Sequence, residues 1–226
     1  MSRGKTSGRG GPYHHGDLAA ALVAAAERVL DERGVEGFTL RECARRAGVS
    51  HAAPAHHFGD VRGLLTEVAA SGFERLTLAI TTAVSRERGA DRRLIAGHLA
   101  YVRFAVAHPA LFRLMFHSSQ VDRATARMRL AGDTAFATLR QAVADVRERT
   151  HQPIRAKEVW RDPGLLGQWS LVHGLATLAM EGQLGPNPTR KSVIASIRAA
   201  LELSVATLSD QRRNQERSRP KPMTVA

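Results

Sequence analysis

Three observations predict an all-α fold for this chain of 226 residues. Apolar residues recur at intervals of three and four over most of its length, and no segment alternates with the period of two that a half-buried strand requires. Glycine, proline and aspartate interrupt that pattern at helix-length intervals. The stretch TLRECARRAGVSHAAPAHHF, 39–58, lays out two short helices around a tight turn, a helix-turn-helix. The expected architecture is an N-terminal three-helix domain carrying that motif, 17–60, followed by a C-terminal helical bundle, 61–208.

The first expected helix carries Leu18, Leu22, Ala25, Val29 and Leu30 on one face and ends at Gly34. Thr39 and Glu42 then form a capping box, in which each side chain takes an orphan backbone N–H, with Phe38 stapled onto Cys43. Leu40, Cys43, Ala44 and Ala47 give the second helix its apolar stripe, and Gly48 ends it because glycine accepts the left-handed conformation of a stop. Ser50 is expected to cap the third helix, which runs through His51, Ala52, Ala53, Pro54, Ala55, His56 and His57 to Phe58. Pro54 would stand at the fourth helical position and remove only the first intrahelical hydrogen bond.

Asp60 caps a long connecting helix, 61–88, with Leu64, Leu65, Val68, Phe73, Leu76, Ile80 and Val84 inward and Gly89 as its stop. Asp91 opens the next, carrying Leu94, Ile95, His98, Leu99, Tyr101, Val102 and Ala105 as far as His108. Pro109 forces a boundary there and starts the short helix ALFRLMF. Val121, Ala124, Met128, Ala135, Leu139, Val143 and Val146 mark a long amphipathic helix, ended by the loop HQPIRAKEVWRDPG. The last two helices, 165–184 and 193–208, are broadly apolar, and a helix apolar on most sides must be covered on more than one of them. The expected cover is a second copy of the chain, a homodimer packed through Leu175, Leu178, Ile194, Ile197, Leu201 and Val205.

A formal net charge of +12 with ten histidines favours a polyanionic partner, whereas 43% apolar and 24% charged residues are ordinary for a globular protein. The excess is concentrated at the ends. Residues 1–16 hold Arg3, Lys5 and Arg9 among many glycines and read as a flexible basic arm, and 209–226 as a disordered basic tail. Cys43, the single cysteine, excludes an intramolecular disulfide and is expected to be a small core residue. With no signal-peptide core and no apolar run long enough for a bilayer, the expected location is cytoplasmic, without membrane association.

Metal and catalytic chemistry lack their patterns. His14 and His15, like His56 and His57, are adjacent and diverge on a helix, and neither CxxC nor HExxH occurs. There is no GxSxG elbow and no glycine-rich phosphate loop, so no catalytic residue, metal or cofactor is expected. The remaining enzymatic alternative is an all-helical hydrolase or metal protein using His98 and His173.

The segment HHGDLAAALVAAAERVLDERGVEGFTLRECARRAGVSHAAPAHHFGDVRGLLTEV resembles the N-terminal domain of the TetR family of bacterial repressors. It matches that family's pattern at Ala26, Leu30, Gly34, Thr39, Ala44, Gly48, Val49, Ser50, His57, Phe58 and Leu64. WSLVHGLATL, with HPALFRLMF upstream, resembles the WHG-type C-terminal domain of some of its members. The resemblance implies a double-stranded DNA operator bound by a dimer, and a C-terminal domain that binds a small-molecule effector. The alternative is a DNA-binding regulator with no small-molecule ligand.

On that basis His51, Ala52, Ala55 and His56 are the expected base readers, and Thr39, Ser50, His57 and Arg62 complete the DNA-binding set. The chain departs from the family at Ala55, where a tyrosine is usual, and at Val61, where a lysine is usual. Phosphate contact is then expected from Arg62 and from the free N–H groups after Asp60. His98, Tyr101, Phe104, Met115, Phe116, Trp169, His173 and Met180 are the candidate effector-pocket residues, although each of these types also serves as ordinary core.

Overall fold

The computed structural model describes residues 15–149, 162–185 and 189–217. These form helices α1 (His15–Arg33), α2 (Leu40–Ala47), α3 (Ala53–Phe58), α4 (Val61–Ser85), α5 (Ala90–Ala107), α6 (Pro109–His117), α7 (Ala126–Arg149), α8 (Pro163–Met180) and α9 (Arg190–Arg217), with no strand among the described residues. Of the expected basic arm, 1–14 lie outside the described residues. Of the expected disordered tail only 218–226 do, because α9 continues to Arg217.

Local chemistry sets most boundaries. Thr39 Oγ1 accepts the Glu42 N–H at 3.3 Å, and Gly48 closes α2 at φ 68° with its N–H directed at the Ala44 and Arg45 carbonyls. The capping box is only half made. The Glu42 carboxylate turns instead to Arg45 and Arg46 on its own helix and to Arg33 of α1, while Arg46 also holds Glu32 at 2.6 and 2.7 Å. This cluster fastens α2 to α1, and it holds the Glu42 carboxyl well below the usual range, chiefly through the hydrogen bonds from Arg45 and then Arg46.

The start of α3 differs from the expectation. Ser50 does not cap it: the helix begins at Ala53, Ala52 occupies the cap position without a side-chain hydrogen bond, and His51 and Ala52 form a turn. Pro54 is the cause. It has no N–H to give the Ser50 carbonyl, so that oxygen accepts from Ala53 instead, at 3.0 Å, and regular α-helical bonding starts later, with His56 N–H to the Ala52 carbonyl.

α4 is the central element, packed against α1, α3, α5, α6 and α7. Leu64, Leu65, Val68, Phe73, Leu76 and Ile80 are buried along it, as are Thr66, Ala69, Ala70 and Gly72, so it is enclosed on more than one face. α6 crosses it closely at Gly72, where a Cβ would stand 2.7 Å from Met115 Sδ and 3.0 Å from Leu111 Cδ1. At His108 and Pro109 the chain bends by 107° between α5 and α6, which seats Phe112 fully inside the core. Asp162 caps α8 by accepting the Leu165 N–H at 2.9 Å, so this helix starts two residues earlier than expected and ends at Met180 instead of 184. Among the described residues no single helix is long and apolar enough to cross a membrane.

α9 overturns part of the expected dimer face. Ile197, Leu201 and Val205 are 0–2% exposed within the single chain, because α9 lays that stripe on α5 and α8. These three residues are core. Leu175 and Ile194 are half-buried and Leu178 is 39% exposed. The apolar surface left outside α8 and α9 is instead Leu166, Leu178 and Leu203, the last 71% exposed, alongside half-buried Leu171 and Leu175. Gly167 and Gly174 face open space beside them, with Ala195, Ala199 and Ala206 exposed on α9.

Candidate functional site

The helix-turn-helix presents a polar, cation-capable edge. Ser50, His51, Ala52, Ala55 and His56 are exposed, His57 is half-buried, and Thr39 and Arg62 are exposed on either side of them in the chain. Pro54 is buried and Ala53 and Phe58 are partly buried, so one side of this short helix anchors it while the other faces outward. The His56 and His57 rings meet edge to face at 5.5 Å. Of the backbone donors opening α4, the Gly63 N–H is already held by Asp60 Oδ1 at 2.8 Å. The first-turn N–H groups of Val61 and Arg62 therefore remain the candidates for phosphate contact, with the Arg62 guanidinium beside them. Cys43 lies behind this surface in the core, where burial pushes its thiol up to about 11, away from the reactive thiolate form.

The second feature is an open cavity of about 640 Å³ lined by α4, α5, α6, α7 and α8 together with the segment before α7. Of the eight candidate pocket residues, His98, Tyr101, Phe116 and Trp169 line it. The other four do not. Met115 is fully buried against Gly72, Phe104 sits under the Arg75 guanidinium and beside His108, and half-buried Met180 ends α8. His173 stacks on Phe112 and takes part in a 2.8 Å hydrogen bond between its Nδ1 and the Tyr101 hydroxyl, one shell behind the wall. Burial, then the nearby His117, lowers the His173 pKa.

Sequence reasoning missed most of the wall supplied by α4 and α7. Phe73, Leu76 and Ile80 were legible only as core positions of the connecting helix, and Ala135 and Leu139 as part of an amphipathic stripe, while Phe136 and Ala142 were not singled out. The period of α7 marked a buried side, but which element covers that side was not readable. The polar groups of the wall are mostly occupied: Tyr101 by His173, Thr138 by the Ala135 carbonyl at 2.6 Å, and Arg123 by the Met115 carbonyl at 2.9 Å. His98 is the exception. It is 3% exposed, neither ring nitrogen has a hydrogen-bond partner, and burial lowers its pKa to about 4, so the ring is neutral near pH 7.

Three sets of contacts join the cavity side of the molecule to the helix-turn-helix side. The Thr66 hydroxyl on α4 accepts the Asp122 N–H at 2.9 Å, Arg127 of α7 pairs with Glu67 and Glu74 of α4, and Arg75 of α4 binds Glu27 of α1 at 2.5 Å. A shallow cleft of about 450 Å³ between His57, Arg62 and Asp122 lies at this junction.

A helix-turn-helix joined through α4 to a cavity-bearing helical bundle, over one continuous hydrophobic core, makes this an all-α helix-turn-helix protein. Residues 22–68 match the model of the bacterial regulatory proteins of the tetR family, and 94–204 match a tetracyclin repressor-like C-terminal domain. The chain belongs to the TetR family of transcriptional regulators. It is 38% identical to a protein of unknown function from Rhodococcus sp. RHA1, with a TM-score of 0.72, covering 88% of this chain and 98% of that one. FadR from Bacillus subtilis, solved in complex with stearoyl-CoA, shares the fold at 14% identity and a TM-score of 0.63, over 83% of this chain and 97% of that one. The HTH-type transcriptional regulator YobS of Bacillus subtilis (strain 168) is 26% identical over 91 residues, 40% of this chain. That match spans about half of the curated relative's own length, 47%.

Proposed function

We propose that this chain is a ligand-responsive repressor that binds a palindromic operator as a homodimer. The observation that carries the reading is the shared use of α4. This helix starts beside the reader helix at Val61 and supplies Phe73, Leu76 and Ile80 to the cavity wall. A molecule entering the cavity presses on the same rigid element that positions α3.

In this reading His51, Ala52, Ala55 and His56 meet base edges in the major groove, while Ser50, Thr39, His57 and Arg62 set the register on the phosphates. The dimer forms through the outward side of α8 and α9, around Leu171, Leu175, Leu178 and Leu203, where outward-facing glycine and alanine positions allow close helix approach. The two reader helices then lie about 34–36 Å apart, one turn of the duplex. An effector tilts α4 and changes that spacing.

An open cavity of drug-sized volume favours this reading over a DNA binder without a ligand. That FadR, which shares this fold, was solved in complex with stearoyl-CoA supports a ligand-binding reading. An effector acts only through its differential affinity for the two arrangements, and a coupling of about 1–3 kcal/mol loosens DNA about 5- to 150-fold. The test is operator selection from random duplexes, followed by effector titration with and without the selected operator. A palindrome should be enriched, and operator should weaken effector binding by the factor with which effector weakens operator binding. Equal effector affinity in both states would leave a DNA binder without allosteric control.

A further inference from the structure

Among the described residues two glycines line the cavity, Gly97 on α5 and Gly132 on α7, and packing explains only the first. A Cβ at Gly97 would stand 3.4 Å from Val84 Cγ2 and 3.5 Å from Ile80 Cγ2, so a larger side chain has no room between α5 and α4. At Gly132 a Cβ would meet nothing within 4 Å, and no positive φ requires glycine there. Glycine weakens a helix interior relative to alanine, so neither the backbone nor close packing accounts for this residue. Gly132, Phe136 and Leu139 follow at i, i+4 and i+7, which puts them on one side of α7, and all three line the cavity. The empty space beside Gly132 is therefore cavity space. Gly132 itself is half-buried. The exposed part of the lining includes Arg123 and Asp133, the latter next to Gly132 in the chain, whereas Leu76, Ile80, Leu94 and Val172 make a buried apolar wall.

The geometry points to Gly132 as the opening of the effector site, where an apolar molecule enters past α7 and comes to lie against the bare helix backbone. This rests on the cavity being the effector site of the proposed repressor and adds the route into it and the class of molecule it takes. The apolar body covers the inner wall, and a polar group on the molecule stays at the opening. Inside, the Tyr101 and Thr138 hydroxyls already have partners, so a polar group carried inward would lose its hydration without replacement. At the opening Arg123 is held by the Met115 carbonyl at 2.9 Å, and neither it nor Asp133 forms an ion pair among the described residues, so both are free to meet a polar end. Trp169 and Phe136, edge to face at 6.4 Å, favour a flat or aromatic body. A side chain at position 132 would occupy the space through which that body passes.

The test titrates the full chain with N-phenyl-1-naphthylamine, an uncharged aromatic whose fluorescence rises when it leaves water. Gly132→Ala puts one methyl into open space and should raise the melting temperature by about 2–4 °C while leaving probe affinity within about 2-fold. Gly132→Phe fills the opening and should weaken the probe at least about 10-fold, with unchanged affinity for the operator selected from random duplexes. Should that variant not fold, Gly132→Cys decides. Cys43 is fully buried, so the new thiol is the reactive one, and saturating probe should slow its labelling by N-ethylmaleimide at least about 5-fold. A lower melting temperature for Gly132→Ala, wild-type probe affinity in folded Gly132→Phe, or labelling of Gly132→Cys at one rate with and without probe would overturn the opening at Gly132 and leave the repressor reading standing. A wild-type chain that binds operator but not the probe would overturn the apolar effector, whereas failure to enrich any operator would strike the repressor reading and leave the probe result intact.

Discussion

Acid should destabilise this protein through His98 in a way that one substitution removes. The native ring has a pKa near 4 because burial disfavours its charged form, against an ordinary value of 6.5 in the unfolded chain. Above about pH 6.5 both states carry a neutral ring and nothing is lost. As pH falls below 6.5 the unfolded chain takes up a proton that the native ring refuses until about pH 4, so stability drains across that window. At pH 5 the unfolded ring is almost fully protonated and the native ring about one-tenth, a difference of about 2 kcal/mol relative to pH 7.5. Below pH 4 the loss levels off at about 3 kcal/mol. His98→Phe removes the titration, and at pH 7.5 it should be at least as stable as the wild type, since an apolar ring replaces an unpartnered polar one. Urea unfolding at pH 7.5 and pH 5.0, at one protein concentration, measures both chains. His173 titrates in the same direction and remains in both, so the comparison isolates His98. Equal pH dependence in wild type and variant would show that the ring is solvated or paired in the native state, and would refute the reasoning.

Three further outcomes follow from the packing and the reader surface. Leu203→Glu should give a folded monomer with weak operator binding, because the residue is 71% exposed on the proposed dimer face, whereas Leu201→Ala should cost about 2–5 kcal/mol of stability as a core cavity; sedimentation and thermal unfolding separate the two. Gly72→Ala places a methyl 2.7 Å from Met115 Sδ and should cost about 1–3 kcal/mol by forcing α6 off α4, read by denaturant unfolding. Arg62→Ala should weaken binding to all duplexes alike and lower the salt slope by about one, while His56→Ala should alter sequence preference, both measured by fluorescence anisotropy across salt and operator variants.

What the sequence determined by itself were the features that depend on near neighbours in the chain. Thr39, Gly48, Asp60 and Pro109 set helix ends through groups only a few residues away, and the periodicity of α1, α2 and α4 named their buried faces because solvent and core impose one amphipathic pattern. The same local logic placed most of the candidate DNA-contacting residues at the surface, with His57 half-buried. It failed at Ser50, where two local rules competed and the missing N–H of Pro54 overrode the cap. Tertiary structure decided what each apolar face touches. Ile197, Leu201 and Val205 carry the same stripe whether a second copy or α5 covers it, and only the folded chain shows α5 there. The cavity is nonlocal for the same reason. Phe136 and Leu139 on α7 meet Phe73 and Ile80 on α4 across more than fifty residues, and side-chain type cannot tell a wall from a core. His98 was legible as a candidate pocket residue that could equally be core, but its lack of a partner is a property of all its neighbours at once.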